Sequence, residues 1–202
     1  MFQKVMEALA FVLVMLAFGS YVWAMLRKNA KPQKSSWIIW TVNDTVIFAG
    51  MFSAGTANGQ MWGTVIGAWA VVGFALKFGV KGWTTIDKLC LSGAVLGITL
   101  FLLLDDPILA IGTSLAVVFF GSVPTFIGAW KEPENENRLA WALFGLSCIA
   151  SVIGIPAWTI ADAAQPLTFL TVSVVMAFIL FVRPWFIERK AVADYRSGRS
   201  RR

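Results

Sequence analysis

Seven long apolar runs divide this chain, and they constrain its fold more than any other feature. A hydrocarbon layer of ~30 Å needs about 17–25 helical residues, and each run has about that length, although the fourth is short. Lipid offers no partner for an unpaired backbone group, so the runs predict transmembrane helices. We therefore expect an all-α integral membrane protein whose seven spans are approximately Met6–Leu26, Ser36–Ala54, Met61–Val80, Leu89–Leu104, Pro107–Trp130, Leu139–Trp158 and Pro166–Phe186.

Composition and helix-start signals agree with this class. Hydrophobic residues make up 58% of the chain, charged residues 14%, and the mean hydropathy is +0.73. Such a chain cannot be a soluble globule with a polar surface. Asp106 before Pro107 and Gln165 before Pro166 predict caps with proline at the first helical position. The first run is too long for a signal peptide and has no small-residue cleavage site.

The distribution of basic residues predicts the orientation. If the N-terminus is outside, the inner connections and the C-terminal end collect 16 of the 17 Lys and Arg residues, with Lys4 as the exception. This bias favours an N-out, C-in, multi-pass protein of the cell (inner) membrane. Residues 1–187 then form one membrane domain, and residues 188–202 form a basic cytoplasmic tail. We attribute the net charge of +6 to topology and lipid headgroups, and we expect no nucleic-acid partner.

An internal repeat gives the architecture. The segment Lys31–Trp40, KPQKSSWIIW, returns in degenerate form as Glu132–Trp141, EPENENRLAW, with the same spacing from proline to tryptophan. A Gly-Ser pair precedes each copy, at 19–20 and 121–122. Both copies lie where one apolar run ends and the next begins, which indicates duplication. We expect a 3+1+3 parallel repeat of three-helix bundles, with repeat one at 1–80, a linker helix at 89–104 and repeat two at 107–187.

The KPQKSSWIIW turn, its copy, the Gly-Ser pairs and Pro124 resemble the SWEET and PQ-loop transporter superfamily, which includes the SemiSWEETs and PnuC-type carriers. The resemblance implies two three-helix bundles, Pro124 as a hinge, and alternating-access transport of a small polar solute such as a sugar or vitamin precursor. The sequence also departs from that pattern. Pro124 is followed by Thr125 rather than glutamine, and the first two helices carry no proline. These differences point to a bacterial branch distinct from the sugar carriers.

Asp44 is the strongest candidate site residue. It is the one acid well inside a span, and burying its charge costs at least ~2.5 kcal/mol unless it is paired or hydrated. Helical spacing places it on one face with Trp37 and Trp40, so it either meets a solute path or bonds a neighbouring helix. Lys77 either pairs with Asp44 or extends to the headgroups. The other candidates for the substrate pathway, for which packing is the competing interpretation, are Trp40, Asn43, Trp69, Ser114, Trp141 and Ser147.

Missing residue types exclude several other functions. Without histidine there is no His-based metal site or Ser-His pair, and Cys90 and Cys148 predict no disulfide. We expect no enzyme, catalytic residue, metal or cofactor. Two hypotheses remain: a carrier, and a non-transporting membrane sensor or assembly protein on the same fold. They differ in whether Asp44 and Trp69 line a wet cavity. The expected partners are a small solute and the bilayer, and a homo-oligomer is left open.

Overall fold

The computed structural model describes residues 1–53, 55–81, 83–103, 107–186 and Arg189. At positions 53, 97, 101, 107–112, 114 and 115 it describes the backbone only. All regular secondary structure in this part of the chain is helical, which confirms the all-α class. A short 3₁₀ turn, Pro133–Asn135, precedes the sixth helix, and the last helix continues through a π-helical turn, Phe178–Val182, to Phe186. The helices are α1 (Phe2–Leu26), α2 (Lys34–Ser53), α3 (Gly59–Phe78), α4 (Thr85–Leu103), α5 (Pro107–Lys131), α6 (Arg138–Ile153) and α7 (Ile160–Ala177).

Three helices of the described chain are long and apolar enough to cross a membrane. They are α1, α3 and the continuous helix Ile160–Phe186. Their outer faces expose large apolar side chains, among them Leu16 and Trp23 on α1 and Ile66 on α3. A soluble monomer rarely shows so much contiguous apolar surface. The fold is therefore suited to association with a membrane.

Six of the helices form a closed ring. Going round it, α1 packs on α3, α3 on α2, α2 on α5, α5 on α7, α7 on α6, and α6 on α1 again. Helix α4 lies outside the ring against α5 and α2. The ring leaves α1, α2 and α3 adjacent on one side and α5, α6 and α7 adjacent on the other.

A glycine stripe on α3 allows α1 to approach closely. Gly59, Gly63 and Gly67 recur at intervals of four residues and face α1. A Cβ atom on Gly63 would lie 2.3 Å from Val14 Cγ1, and one on Gly67 would lie 2.0 Å from Phe18 Cδ2. Small residues at this spacing are typical of helix pairs in membranes. The close contact holds Phe18 against the middle of the ring.

Some helix boundaries differ from the predictions. Helix α7 begins at Ile160 because the Thr159 hydroxyl accepts a hydrogen bond from the Asp162 amide, so the prediction that Pro166 begins this helix was wrong. Helix α6 ends at Ile153, before the predicted Trp158, since Pro156 disfavours helix at the residue before it. Helix α5 begins at Pro107 as expected. Asp106 lies outside the described residues, as does the tail 188–202 apart from Arg189.

Candidate functional site

A central cavity lies inside the ring of helices. Its volume is about 60 Å³, measured as the space open to the centre of a water molecule. All six ring helices contribute to its wall, and no described residue of α4 does. The lining residues are Ala17, Phe18, Tyr21, Trp37, Trp40, Asp44, Thr64, Ala68, Val118, Ala140, Trp141, Phe144, Phe169 and Val172.

Asp44 lines this cavity without a partner. The side chain is 5% exposed, and its Oδ1 atom is buried with no hydrogen bond. No described basic residue forms an ion pair with it; Lys77 is exposed, with its ammonium 5.4 Å from the centre of the Phe78 ring. The Thr64 hydroxyl, on the same cavity wall, is also buried without a partner. A buried carboxylate therefore lines a space that holds no compensating charge from the described chain.

Five aromatic side chains close a loop around the cavity, and we call them the aromatic collar: Phe18, Trp37, Trp40, Trp141 and Phe144. Each ring contacts the next, and the last contacts the first. The distances between successive ring centres are 5.9, 5.4, 6.3, 6.0 and 6.2 Å. Gly121 makes room for one member, because a Cβ atom there would lie 2.8 Å from Trp40 Cδ1. The collar joins residues of α1, α2 and α6.

A polar contact closes the cavity at the end of the ring that holds the α1–α2 and α5–α6 turns. One oxygen of Glu136, Oε2, accepts hydrogen bonds from the Tyr21 hydroxyl at 2.6 Å and from Trp141 Nε1 at 2.9 Å. The Asn137 side chain donates to the Ser20 carbonyl, and the Lys31 amide donates to the Asn135 carbonyl. Burial raises the pKa of the Glu136 carboxyl to about 7, although the bonds from Trp141 and Tyr21 lower it in part. We call this contact the Glu136 closure.

An amide network closes the other end, which holds the N-terminus. Gln60 donates to Ser147 Oγ at 3.1 Å and accepts from Gln165 at 3.2 Å, while Asn58 donates to Gln165 at 2.9 Å. Ser147 in turn donates to the Ala10 carbonyl. We call this the Gln60 closure. Beyond it lies a second cavity of about 110 Å³, whose lining includes Glu7, Asp162, Asn58 and Gln60.

The structure gathers some of the predicted pathway residues and disperses others. Asp44, Trp40 and Trp141 line the central cavity. Asn43 is buried outside the cavity, its Nδ2 atom without a partner, and Ser147 belongs to the Gln60 closure. The Ser114 side chain lies outside the described features.

Trp69 does not reach the cavity. The side chain is 54% exposed, and its Nε1 donates to Thr45 Oγ1 at 3.1 Å. It therefore lies on the outer surface of the ring and not on the wall of the central cavity. Pro124 lies inside α5, and the amide of the next residue, Thr125, donates to Ser36 Oγ of α2.

Sequence reasoning missed Glu136, Gln60 and Gln165 as site residues, although it included Trp141 and Ser147, which bond Glu136 and Gln60 in the closures. Glu136 lies in a turn with other acids, where the sequence gives no sign that this one faces inward. Gln60 is uncharged and belongs to no motif, and Gln165 is predicted only as a helix cap before Pro166. Protein-family models, curated proteins and solved structures were each compared with this chain, and none matched. Function is therefore inferred from the cavity and its two closures.

Proposed function

We propose that this chain is a seven-span carrier, N-out and C-in, that moves a small polar solute across the cell membrane by alternating access. The observation that carries the proposal is the central cavity, in which an unpartnered, buried Asp44 faces a space between the two helix triplets. Ionisable groups inside a membrane domain are costly to keep, and they mark solute or ion paths. A site at the boundary between structural repeats is typical of carriers.

The packing order supports the 3+1+3 repeat. Exchanging α1, α2 and α3 with α5, α6 and α7 maps the ring of contacts onto itself, and α4 lies outside as a linker helix would. The repeated turns also meet, since the Lys31 amide bonds the Asn135 carbonyl at 2.8 Å. Trp40 and Trp141, which are equivalent in the sequence repeat, lie 6.3 Å apart between ring centres. These features fit two bundles related by a rotation about the membrane normal.

Both closures cross from one bundle to the other. Tyr21 of the first bundle bonds Glu136, which lies in the α5–α6 turn of the second, and Gln60 of the first bonds Ser147 and Gln165 of the second. Breaking one set while the other holds would open the cavity to one side only. Pro124 lacks an amide hydrogen, so α5 can bend there at lower cost than a continuous helix. Both closures are formed in this structure.

A ligand screen followed by uptake tests the proposal. Purified protein is heated with sugars, amino acids, nucleosides, vitamins and amines, and a solute that prefers the folded state raises the melting temperature. Hits are then assayed for uptake into proteoliposomes by wild type and by Asp44→Asn. We expect saturable uptake that Asp44→Asn abolishes. Binding without uptake would instead favour a non-transporting sensor.

A further inference from the structure

The chemistry of the central cavity also indicates which class of solute it takes. We propose that it binds a small organic cation, an amine or quaternary ammonium compound, whose charge lies between the Asp44 carboxylate and the aromatic collar. Transport of this cation rests on the proposed carrier function. Its binding rests only on the geometry of the cavity.

The collar has the chemistry of a cation site. A cation is attracted to aromatic faces when it lies within about 6 Å of the ring centres. Successive collar rings are 5.4 to 6.3 Å apart from centre to centre, and all five line one small space. A cation in that space would contact several rings at once. Asp44 is one helical turn beyond Trp40 on α2, so the carboxylate lies on the collar's side of that helix.

The carboxylate lacks a counter-charge that a cationic solute would supply. No lysine or arginine lines the central cavity among the described residues, and Asp44 has no hydrogen bond from any of them. A buried charge is tolerated when it is paired, and it is strongly unfavourable alone. An anionic solute would add a second negative charge to this site. A cation would neutralise the first.

Acidic groups also flank the cavity at both ends. Glu136 lies beyond the collar at one closure, and Glu7 and Asp162 line the second cavity beyond the other. In the part of the chain that the structure describes, neither cavity wall contains a basic residue. Clefts lined by one sign of charge raise the local concentration of the opposite ion. The route through the ring is therefore suited to cations along its length.

A sugar fits the cavity poorly. The Tyr21 hydroxyl and the indole N–H groups of Trp40 and Trp141 already have hydrogen-bond partners, and the buried polar atoms on the wall without one are Asp44 Oδ1 and Thr64 Oγ1. The several hydroxyls of a sugar would lose water without gaining partners, at a cost for each. The small volume of the cavity, about 60 Å³, suits a compact ammonium compound.

A comparison of isosteres tests the class of solute without any variant. Wild-type protein in detergent is titrated with ethylammonium, tetramethylammonium and choline, and with 3,3-dimethyl-1-butanol, the uncharged isostere of choline. Melting temperature and tryptophan fluorescence are the readouts. We expect saturable shifts with at least one ammonium compound and none with the isostere. Equal shifts with choline and its isostere, or saturable binding of glucose but of no ammonium compound, would overturn the proposal.

Matched variants then locate the site. Asp44→Asn should raise the Kd for the bound cation at least about thirtyfold, because it removes the buried opposite charge. Glu134→Gln removes an acid from the exposed turn and should leave the Kd unchanged. Equal effects of the two variants would contradict a site at Asp44. Cation binding without uptake into proteoliposomes would refute the carrier and leave the cation site intact. Uptake of a neutral solute alone would refute the cation site and leave the carrier intact.

Discussion

Replacing Glu136 with glutamine should remove a pH dependence from the stability of this protein. The native carboxyl is buried, and its Oε2 accepts bonds from Tyr21 and Trp141. Glutamine keeps an oxygen that can accept both bonds, because the carbonyl has two lone pairs, but it does not titrate. Glu136→Gln therefore changes the charge with little change in packing.

The magnitude follows from the pKa of Glu136. Burial raises that pKa from 4.5 to about 7, against the lowering effect of the bonds from Trp141 and Tyr21. Between pH 4.5 and pH 7 the folded protein holds a proton that the unfolded chain has released, so the free energy of unfolding falls as pH rises. The contribution is fully present below pH 4.5 and lost above about pH 7. At 1.36 kcal/mol per pH unit, the loss is about 3 kcal/mol.

The assay is thermal unfolding in detergent from pH 4.5 to 8, on wild type, Glu136→Gln and the exposed control Glu134→Gln. Wild type and the control should lose stability through this window, and Glu136→Gln should lose about 3 kcal/mol less. Glu136→Gln should then be the most stable of the three at pH 8. Parallel curves for wild type and Glu136→Gln would refute the reasoning that this buried acid titrates near neutrality.

Three further predictions concern packing, hinge and topology. Gly67→Ala should destabilise by about 1–3 kcal/mol in thermal or denaturant unfolding, since its Cβ would meet Phe18, whereas Gly73→Ala, which meets nothing within 4 Å, should not; equal losses would contradict the close α1–α3 contact. Pro124→Ala restores a helix donor and should raise the melting temperature while slowing solute exchange in proteoliposomes; an unchanged rate would remove the hinge. In a protein without Cys90 and Cys148, Trp158→Cys should react with a membrane-impermeant thiol reagent on intact cells and Glu134→Cys should not; the reverse pattern would invert the topology.

The α2 side of the site could be predicted from the sequence. The cost of an acid inside a span indicates Asp44 as a site residue, and helical spacing predicts that Trp37 and Trp40 share its face; all three line the cavity. Trp69 was also inside a span, but a single tryptophan has no periodic partner to indicate which way it faces, and it lies on the outer surface. Depth in a span was therefore informative for a charge and uninformative for an aromatic ring.

Long-range contacts account for what the sequence did not reveal. The Glu136 closure joins residues 115 positions apart, and no local pattern distinguishes Glu136 from Glu134 in the same turn. Gln60 bonds Ser147 and Gln165 across the ring, and these partners are also far from it in the sequence. The α3 glycine stripe was readable as a small-residue repeat, because Gly59, Gly63 and Gly67 are each four residues apart. This repeat indicates a close helix contact, but it does not identify α1 as the helix in contact.

Two-sided accessibility of the central cavity tests the carrier most directly, and it needs no known solute. Thr64 and Asp44 both line the cavity, so Thr64→Cys in a protein without Cys90 and Cys148 reports whether water reaches that wall. Ser122→Cys, buried in α5 outside the cavity, is the matched control. With a membrane-impermeant thiol reagent, we predict that Thr64→Cys reacts both in right-side-out and in inside-out vesicles, while Ser122→Cys reacts in neither. Reaction of Thr64→Cys from one side only, or from neither, would contradict alternating access.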